Sequence, residues 1–465
     1  MRSAPLALAL LFAAGCLAGP SAPETTPTQR EAAIYDAIEA QIGAPVVEDH
    51  DHNDPAQHVS HHFLDRVALV TGEDGRVAPA GEGYVETAVA GGFAYLSRSG
   101  PQAGLAIFNV SDVERPKFVS SIQLNAGFEA DVEVSADGRW AFWETQRVNR
   151  DPPPVPPTPD PGAELPNGIH VLDLSEKAHP RWASYTPVWP DGPHSITYAR
   201  IGDLDVVFAS TYAYAYAYMG EKVPLAQRLV IYELDRTLPI PYLRQVAEYR
   251  DPEGEAVDNA TTGGLFPHDV SVATNPVTHR TYAYVAYWNL GVDILDVSDP
   301  ATPLKVGQAL DFGPAPYRNV HMAHQFRTTI DGHVVLVAEP EIGQEPDSGY
   351  ITFIDATDPA HPTYISSWRM PGNLTSAGGA LGPHYFDVLD GRVALSSYHA
   401  GFWVIDVHDA ANLLHPRTVA QAEVATSAFD AWWADETHIV GSDAGAGLAI
   451  YRYTGPTPHQ DEILS

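Results

Sequence analysis

Cysteine is all but missing from this sequence: Cys16 stands alone among 465 residues. No intrachain disulfide can form, and beyond residue 16 no thiolate is available as nucleophile or metal ligand. Lysine is almost as scarce, with Lys117, Lys177, Lys222 and Lys305 the whole complement. The net charge of −33 repels phosphate backbones and anionic lipid, so nucleic acid is excluded as a partner. No glycine-rich phosphate loop, nucleophile elbow or HExxH helix occurs, which removes the familiar nucleotide-binding, serine-hydrolase and zinc-protease patterns. Long helical periodicity is also lacking, while Gly 37 and Pro 40 are plentiful. An all-β chain with many turns is expected, and its length leaves room for more than one domain.

The amino terminus reads as a targeting segment. Met1-Arg2 precedes an apolar run from Leu6 to Ala14, which ends Ala13-Ala14-Gly15-Cys16. Such a run is too short to span a membrane as a mature helix and fits a secretory signal. Small residues before the cysteine resemble a lipobox, so residues 1–16 are expected to be a lipoprotein signal with Cys16 lipidated. Ordinary cleavage near Ala18, with Cys16 lost, is the other outcome. Residues 17–62 form a tether. It holds a capping box at Thr28-Gln29-Arg30-Glu31, a short helix marked by Ile34, Ile38 and Ile42, and a tract with His50, His52, His58, His61 and His62. That tract is expected to meet the domain at its bottom rim and to act as a solvated, weakly metal-scavenging segment.

From about residue 82 the chain repeats itself. Gly-x-x-x-x-Asp marks one strand of each unit, at Gly104–Asn109, Gly168–Asp173, Gly291–Asp296, Tyr350–Asp355 and Gly401–Asp406. Looser copies run over Leu229–Glu233 and Gly447–Tyr451, which makes seven. Turns such as Val297-Ser298-Asp299-Pro300 follow, and a proline then leads into another strand. Four strands in each of seven units predict a seven-bladed β-propeller over residues 63–455, with a tail at 456–465. The last unit lacks its outer strand, and Asp65–Val70 is expected to supply it and remove the exposed edge. Insertions interrupt the pattern at 146–166, which is proline-rich, and at 212–227, where Tyr212, Tyr214, Tyr216 and Tyr218 share one face of an extended hairpin.

Gly291-Val292-Asp293-Ile294-Leu295-Asp296-Val297-Ser298-Asp299-Pro300 resembles the consensus of the LVIVD-repeat propeller family. That resemblance implies the fold and leaves the chemistry open, because propellers host many functions.

Three strands start after Pro-His: Gly192-Pro193-His194, Phe266-Pro267-His268 and Gly382-Pro383-His384. Met322-Ala323-His324 is a looser copy. The proline and its predecessor are both held extended, so each histidine is the first side chain of a channel-lining strand. Aligned blade by blade, the mouth positions are Val85 or Glu86, Glu129, His194, His268, His324, His384 and Phe429. His321 and His399 are expected on the same face, as are Glu339 and Asp443. Asp269, Gln325, Tyr385 and Asp387 are candidates to orient the rings.

Imidazoles with a carboxylate suit Cu(II), Zn, Fe(II) or Mn, with copper favoured. Ligands from one side of a ring leave open positions, as a catalytic metal needs. Selenium-binding-protein/methanethiol-oxidase propellers, and the propeller of nitrous-oxide reductase, are similar in presenting channel histidines to copper. Two readings follow. One is an envelope-anchored metalloenzyme, an oxidoreductase acting on a small molecule. The other is a non-catalytic surface propeller that binds protein or glycan, with the histidines as channel lining.

Overall fold

The computed structural model describes residues 60–61, 63–71, 83–99, 103–123, 131–146, 167–188, 192–211, 227–237, 240–252, 266–315, 320–340, 349–370 and 382–455. Cys16, Glu129, the expected helix and most of both insertions lie outside the described residues, as do His50, His52, His58 and His62. No described helix is long and apolar enough to cross a membrane.

Seven antiparallel sheets of four or more strands form the ring. We number the blades along the chain and letter their strands A to D from the channel outward. The A strands are Gly83–Ala90, Val132–Val134, Ser195–Ile201, Pro267–Thr274, Val320–Gln325, Phe386–Leu389 and Ala428–Trp433. Strand D of blade 7 is Leu64–Val70, paired with strand C, Gly447–Tyr453, from Leu64↔Tyr453 to Val70↔Leu448. The two ends of the domain therefore share one sheet, as expected.

The Gly-x-x-x-x-Asp pattern has a physical cause at each end. Gly291, which opens strand C of blade 4, has φ +84, and a Cβ there would run into the Ala309 carbonyl of strand D. Any side chain would push the two strands apart. At the other end the acid ties down the turn: Asp296 Oδ1 accepts from Ser298 N at 3.0 Å, and Asp355 Oδ1 accepts from Thr357 N at 2.9 Å. Blade 5 replaces the glycine by Tyr350 and moves the positive φ one residue back, to Gly349 at 88°.

Apolar layers fill the gaps between blades. Between blades 5 and 6, Phe353 and Trp368 meet Trp403 and Ile405, all nearly inaccessible to solvent. A one-turn helix, Ala410–Leu414, caps the C–D connection of blade 6, with the Asp409 side chain accepting from Asn412 N.

The sequence did not reveal a fifth strand on blade 6. Ser60–His61 pairs with the outer strand Arg417–Ala422, with Ser60 opposite Ala422 and His61 opposite Gln421. Ala422 lies opposite Phe402, the first residue of strand C and so at the mouth end. Ser60–His61 thus sits on the outer edge of blade 6 beside the mouth end of its strand D, and the rest of the histidine tract lies outside the described residues. Phe63, at φ 61, turns the chain before it climbs back as the closing strand.

Adjacent A strands are clasped by aspartates at the channel wall. Asp131 accepts from Val132 N in its own blade at 2.7 Å and from Ile196 N in the next at 2.8 Å. Asp387 does the same for Val388 N and Trp433 N, at 2.8 and 3.0 Å. Asp430 closes the seam, with Ala431 N at 2.7 Å, Thr87 N of blade 1 at 2.8 Å and Trp432 Nε1 at 2.9 Å. Burial pushes Asp430 up to about 7 despite these donors. A folded value above the ordinary one near ~4 means that the fold favours the protonated acid. That contribution is fully present below the unfolded value and is lost as pH rises through about 7. In denaturant titrations, the stability gap between the protein and its Asp430→Asn variant should narrow from about pH 5 to about pH 8. A gap that widens over that range would show that the fold prefers the ionised form.

Candidate metal centre at the channel mouth

A β-bulge aims the mouth side chains. In blade 4 the A–B register jumps from Pro267↔Tyr287 to Asp269↔Ala286, leaving His268 as the extra residue. In blade 5 it jumps from Val320↔Pro340 to Met322↔Glu339, leaving His321, and in blade 7 from Ala428↔Asp443 to Asp430↔Ser442, leaving Phe429. A bulged residue is released from the alternation of its strand and turns toward the mouth. His321 is thus the blade 5 equivalent of His268.

This corrects the expected set. His324 sits deeper in its strand, opposite Val337, and its ring lies against Phe386 at 5.3 Å. Burial, then the charge of Arg327, brings His324 down to about 4. The arc at the mouth is His194, His268, His321 and His384, one imidazole from each of blades 3 to 6. Successive ring centroids are 4.4, 4.2 and 4.8 Å apart. His194 Nε2 and His268 Nε2 face each other at 2.9 Å.

Three of the rings are held by Nδ1 from the blade side. His194 Nδ1 is 2.9 Å from Gln146 Oε1, His321 Nδ1 is 3.3 Å from Glu339 Oε2, and His384 Nδ1 is 2.7 Å from the Phe429 carbonyl. Carbonyl oxygens only accept, so neutral His194 and His384 carry the proton on Nδ1 and the lone pair on Nε2. His268 differs: its Nδ1 is buried with no hydrogen-bond partner among the described residues.

The surroundings keep two rings uncharged. His268 is held well below the ordinary histidine value by burial, and then by the imidazoles of His321, His194 and His384. Burial and His321 do the same to His384. Burial, then Asp269, raises Glu339 well above the usual carboxylate range. Aromatic rings enclose the arc. Trp288 stacks on His268 at 5.1 Å, and Phe429, Tyr385 and Tyr398 lie 4.1, 4.5 and 4.6 Å from His384. Tyr398 adopts φ 39, an uncommon backbone state for a bulky residue, in the turn that also carries half-buried His399.

The other expected residues separate by role. Tyr385 packs on both His321 and His384, at 5.0 and 4.5 Å. Burial, then Glu86, Asp269, Asp131 and Asp430, holds its hydroxyl well above the ordinary range. Asp269 joins blades 3 and 4 by accepting from Ser195 Oγ and Val270 N, both at 2.6 Å. Gln325 is committed to Tyr284 and to main-chain oxygens between blades 4 and 5. Asp443 braces the loop before blade 7, taking the amide of Ala425 at 2.6 Å. Gln146, Trp288 and Tyr398 were not anticipated. Each follows or ends a B strand, where a mouth-facing position has no sequence marker.

A profile of the LVIVD repeat matches residues 278–311, which span strands B, C and D of blade 4. The chain is an LVIVD-repeat β-propeller. Comparison with curated proteins returns no match. The matched segment contains the Gly291 strand and the Asp296 turn, so the family signature in this propeller records how a blade is built. It contains none of the four mouth histidines.

In the metal-free LVIVD propeller, His384 should be neutral at pH 6, with the proton on Nδ1. Nitrogen shifts of histidine-labelled protein report both states. An imidazolium at that pH, or a proton on Nε2, would contradict the geometry.

Proposed function

We propose that this propeller binds one transition-metal ion at its channel mouth through His194, His268, His321 and His384, and that the site is catalytic. The supporting observation is that imidazoles from four consecutive blades line one arc, three of them steadied through Nδ1. Metal-binding histidines are oriented in this way, by a partner on the nitrogen that does not bind the ion. Two nitrogens at a right angle around an ion, each about 2.0–2.1 Å from it, stand about 2.9 Å apart. His194 and His268 already have that spacing. Among the described residues no three donors are gathered around a single point, so an ion would draw His321 and His384 inward.

Neutral imidazoles without thiolate or thioether favour Cu(II), with Zn, Fe(II) or Mn as weaker fits. All four ligands come from one side of the channel, which leaves coordination positions open for a small-molecule substrate. A redox metal there would supply oxidoreductase chemistry. The chain's own contribution is to hold His268 and His384 neutral, screen the rings with Trp288, Phe429 and Tyr398, and place the Tyr385 phenol beside two of them. Anchoring to the envelope through a lipid on Cys16 belongs to the same reading and rests on the sequence of residues 13–16.

Protein purified without an affinity tag should carry about one metal ion per chain. His268→Ala and His321→Ala should each remove most of it, Glu339→Ala should weaken metal affinity roughly 10- to 100-fold, and His324→Ala should leave metal content unchanged. Cys16→Ser should shift the protein out of the membrane fraction. If untagged protein holds no metal and takes up none, the histidines are channel lining, and a protein- or glycan-binding propeller is the better reading. If His324→Ala loses metal as His321→Ala does, the ligand set is wrong.

A further inference from the structure

A second cluster of reactive groups lies between blades 3 and 4, away from the mouth. Lys305 stands on strand D of blade 4, Leu304–Ala309, and Asp293 on strand C, Gly291–Asp296. Asp251 follows the outer strand of blade 3, Tyr242–Tyr249. Both carboxylates are fully buried, while the lysine side chain keeps 27% exposure. Lys305 Nζ is 2.6 Å from Asp251 Oδ2 and 2.8 Å from Asp293 Oδ1. Despite that proximity, Asp293 Oδ1 has no directed hydrogen bond. The amine approaches Asp293 away from the direction that a hydrogen bond prefers.

Two buried acids against one cation leave an excess negative charge in a poorly solvated place, which is costly unless one acid is protonated. Burial does push Asp293 up to about 7. Burial works against the charge on Lys305, but its contacts with the Asp251 and Asp293 carboxylates outweigh it. The Tyr249 hydroxyl donates to Asp293 Oδ2 at 2.8 Å and lies 3.3 Å from Asp251 Oδ2. The Tyr287 hydroxyl accepts from Asp251 N at 3.1 Å, which fixes the start of that segment.

We propose that Lys305 and Asp293 join in an intramolecular amide bond, with Asp251 as the proton acceptor. Asp251 takes one proton from the ammonium group. The neutral Nζ then attacks Cγ of the protonated Asp293 carboxyl group, and the Tyr249 hydroxyl steadies the oxygen of the tetrahedral intermediate. A second proton passes from Nζ, by way of Asp251, to the departing hydroxyl, which leaves as water. Asp251 ends protonated. No oxidant and no outside reactant is required, and the excess buried charge is removed. The bond ties strand C to strand D within the blade that carries the family signature.

Tryptic digestion of the denatured full-length protein reads the outcome directly. Arg280, Lys305 and Arg318 are the cleavage points around the site. A Lys305 amide blocks the middle one, so residues 281–318 should appear as one peptide, lighter than its sequence by one water molecule. The Asp251→Asn variant should restore cleavage after Lys305 and the full mass. An unmodified 281–305 peptide from the natural chain overturns the proposal. Loss of water with cleavage after Lys305 intact also overturns it, because that is the mark of a cyclised aspartate.

Discussion

The whole arrangement depends on closing the ring with a strand from the far end of the chain. Leu64–Val70 pairs along nearly the full length of Gly447–Tyr453 and gives blade 7 its outer strand. Without it, strand C would present a row of unpaired amides and carbonyls at the rim. Closure also fixes the diameter of the channel. Seven A strands must then converge, and their first residues meet at one mouth. The seam is reinforced at the axis by Asp430, which ties blade 7 to Thr87 of blade 1. An outer pairing and an inner carboxylate therefore hold the same joint from opposite sides.

Convergence has a consequence for charge. The channel wall carries Asp131, Asp269, Asp387 and Asp430 on strand positions that water reaches poorly, and burial raises all four above the usual carboxylate range. Each accepts from the main-chain amide of the residue that follows it, and Asp131, Asp387 and Asp430 each take one further amide from a neighbouring blade. Above this layer, the same lack of water holds His268 and His384 neutral. Neutral imidazole is the form that binds metal ions. Burial along the channel wall thus sets both the carboxylates that clasp blades and the state of His268 and His384.

Most of the fold was legible in the sequence because its signals are local. A strand-opening glycine such as Gly291 answers to a neighbouring carbonyl, and an acid such as Asp296 answers to the turn two residues on. These needs recur in blade after blade, so the blade count and the closing strand could be read directly. Three of the four mouth imidazoles were legible for the same reason, since Pro-His marks the strand start in blades 3, 4 and 6. Blade 5 has no such proline, and the Met322-Ala323-His324 copy drew the alignment three residues too far. The bulge that selects His321 is a property of pairing with Val335–Pro340, and pairing register leaves no mark on a single strand. Glu339, at the end of that partner strand, was the available hint. The pairing of Ser60–His61 with blade 6 was unreadable because two residues are too few to show a period.

The central claim is that four imidazoles from consecutive blades bind one metal ion. X-ray absorption at the metal edge of copper-loaded protein tests it most directly, because ring scattering distinguishes imidazole from water or carboxylate. The account predicts three or four imidazole nitrogens at about 2.0–2.1 Å, with one fewer in His321→Ala and no change in His324→Ala. A shell of oxygen ligands, or a spectrum unaltered by His321→Ala, would contradict it.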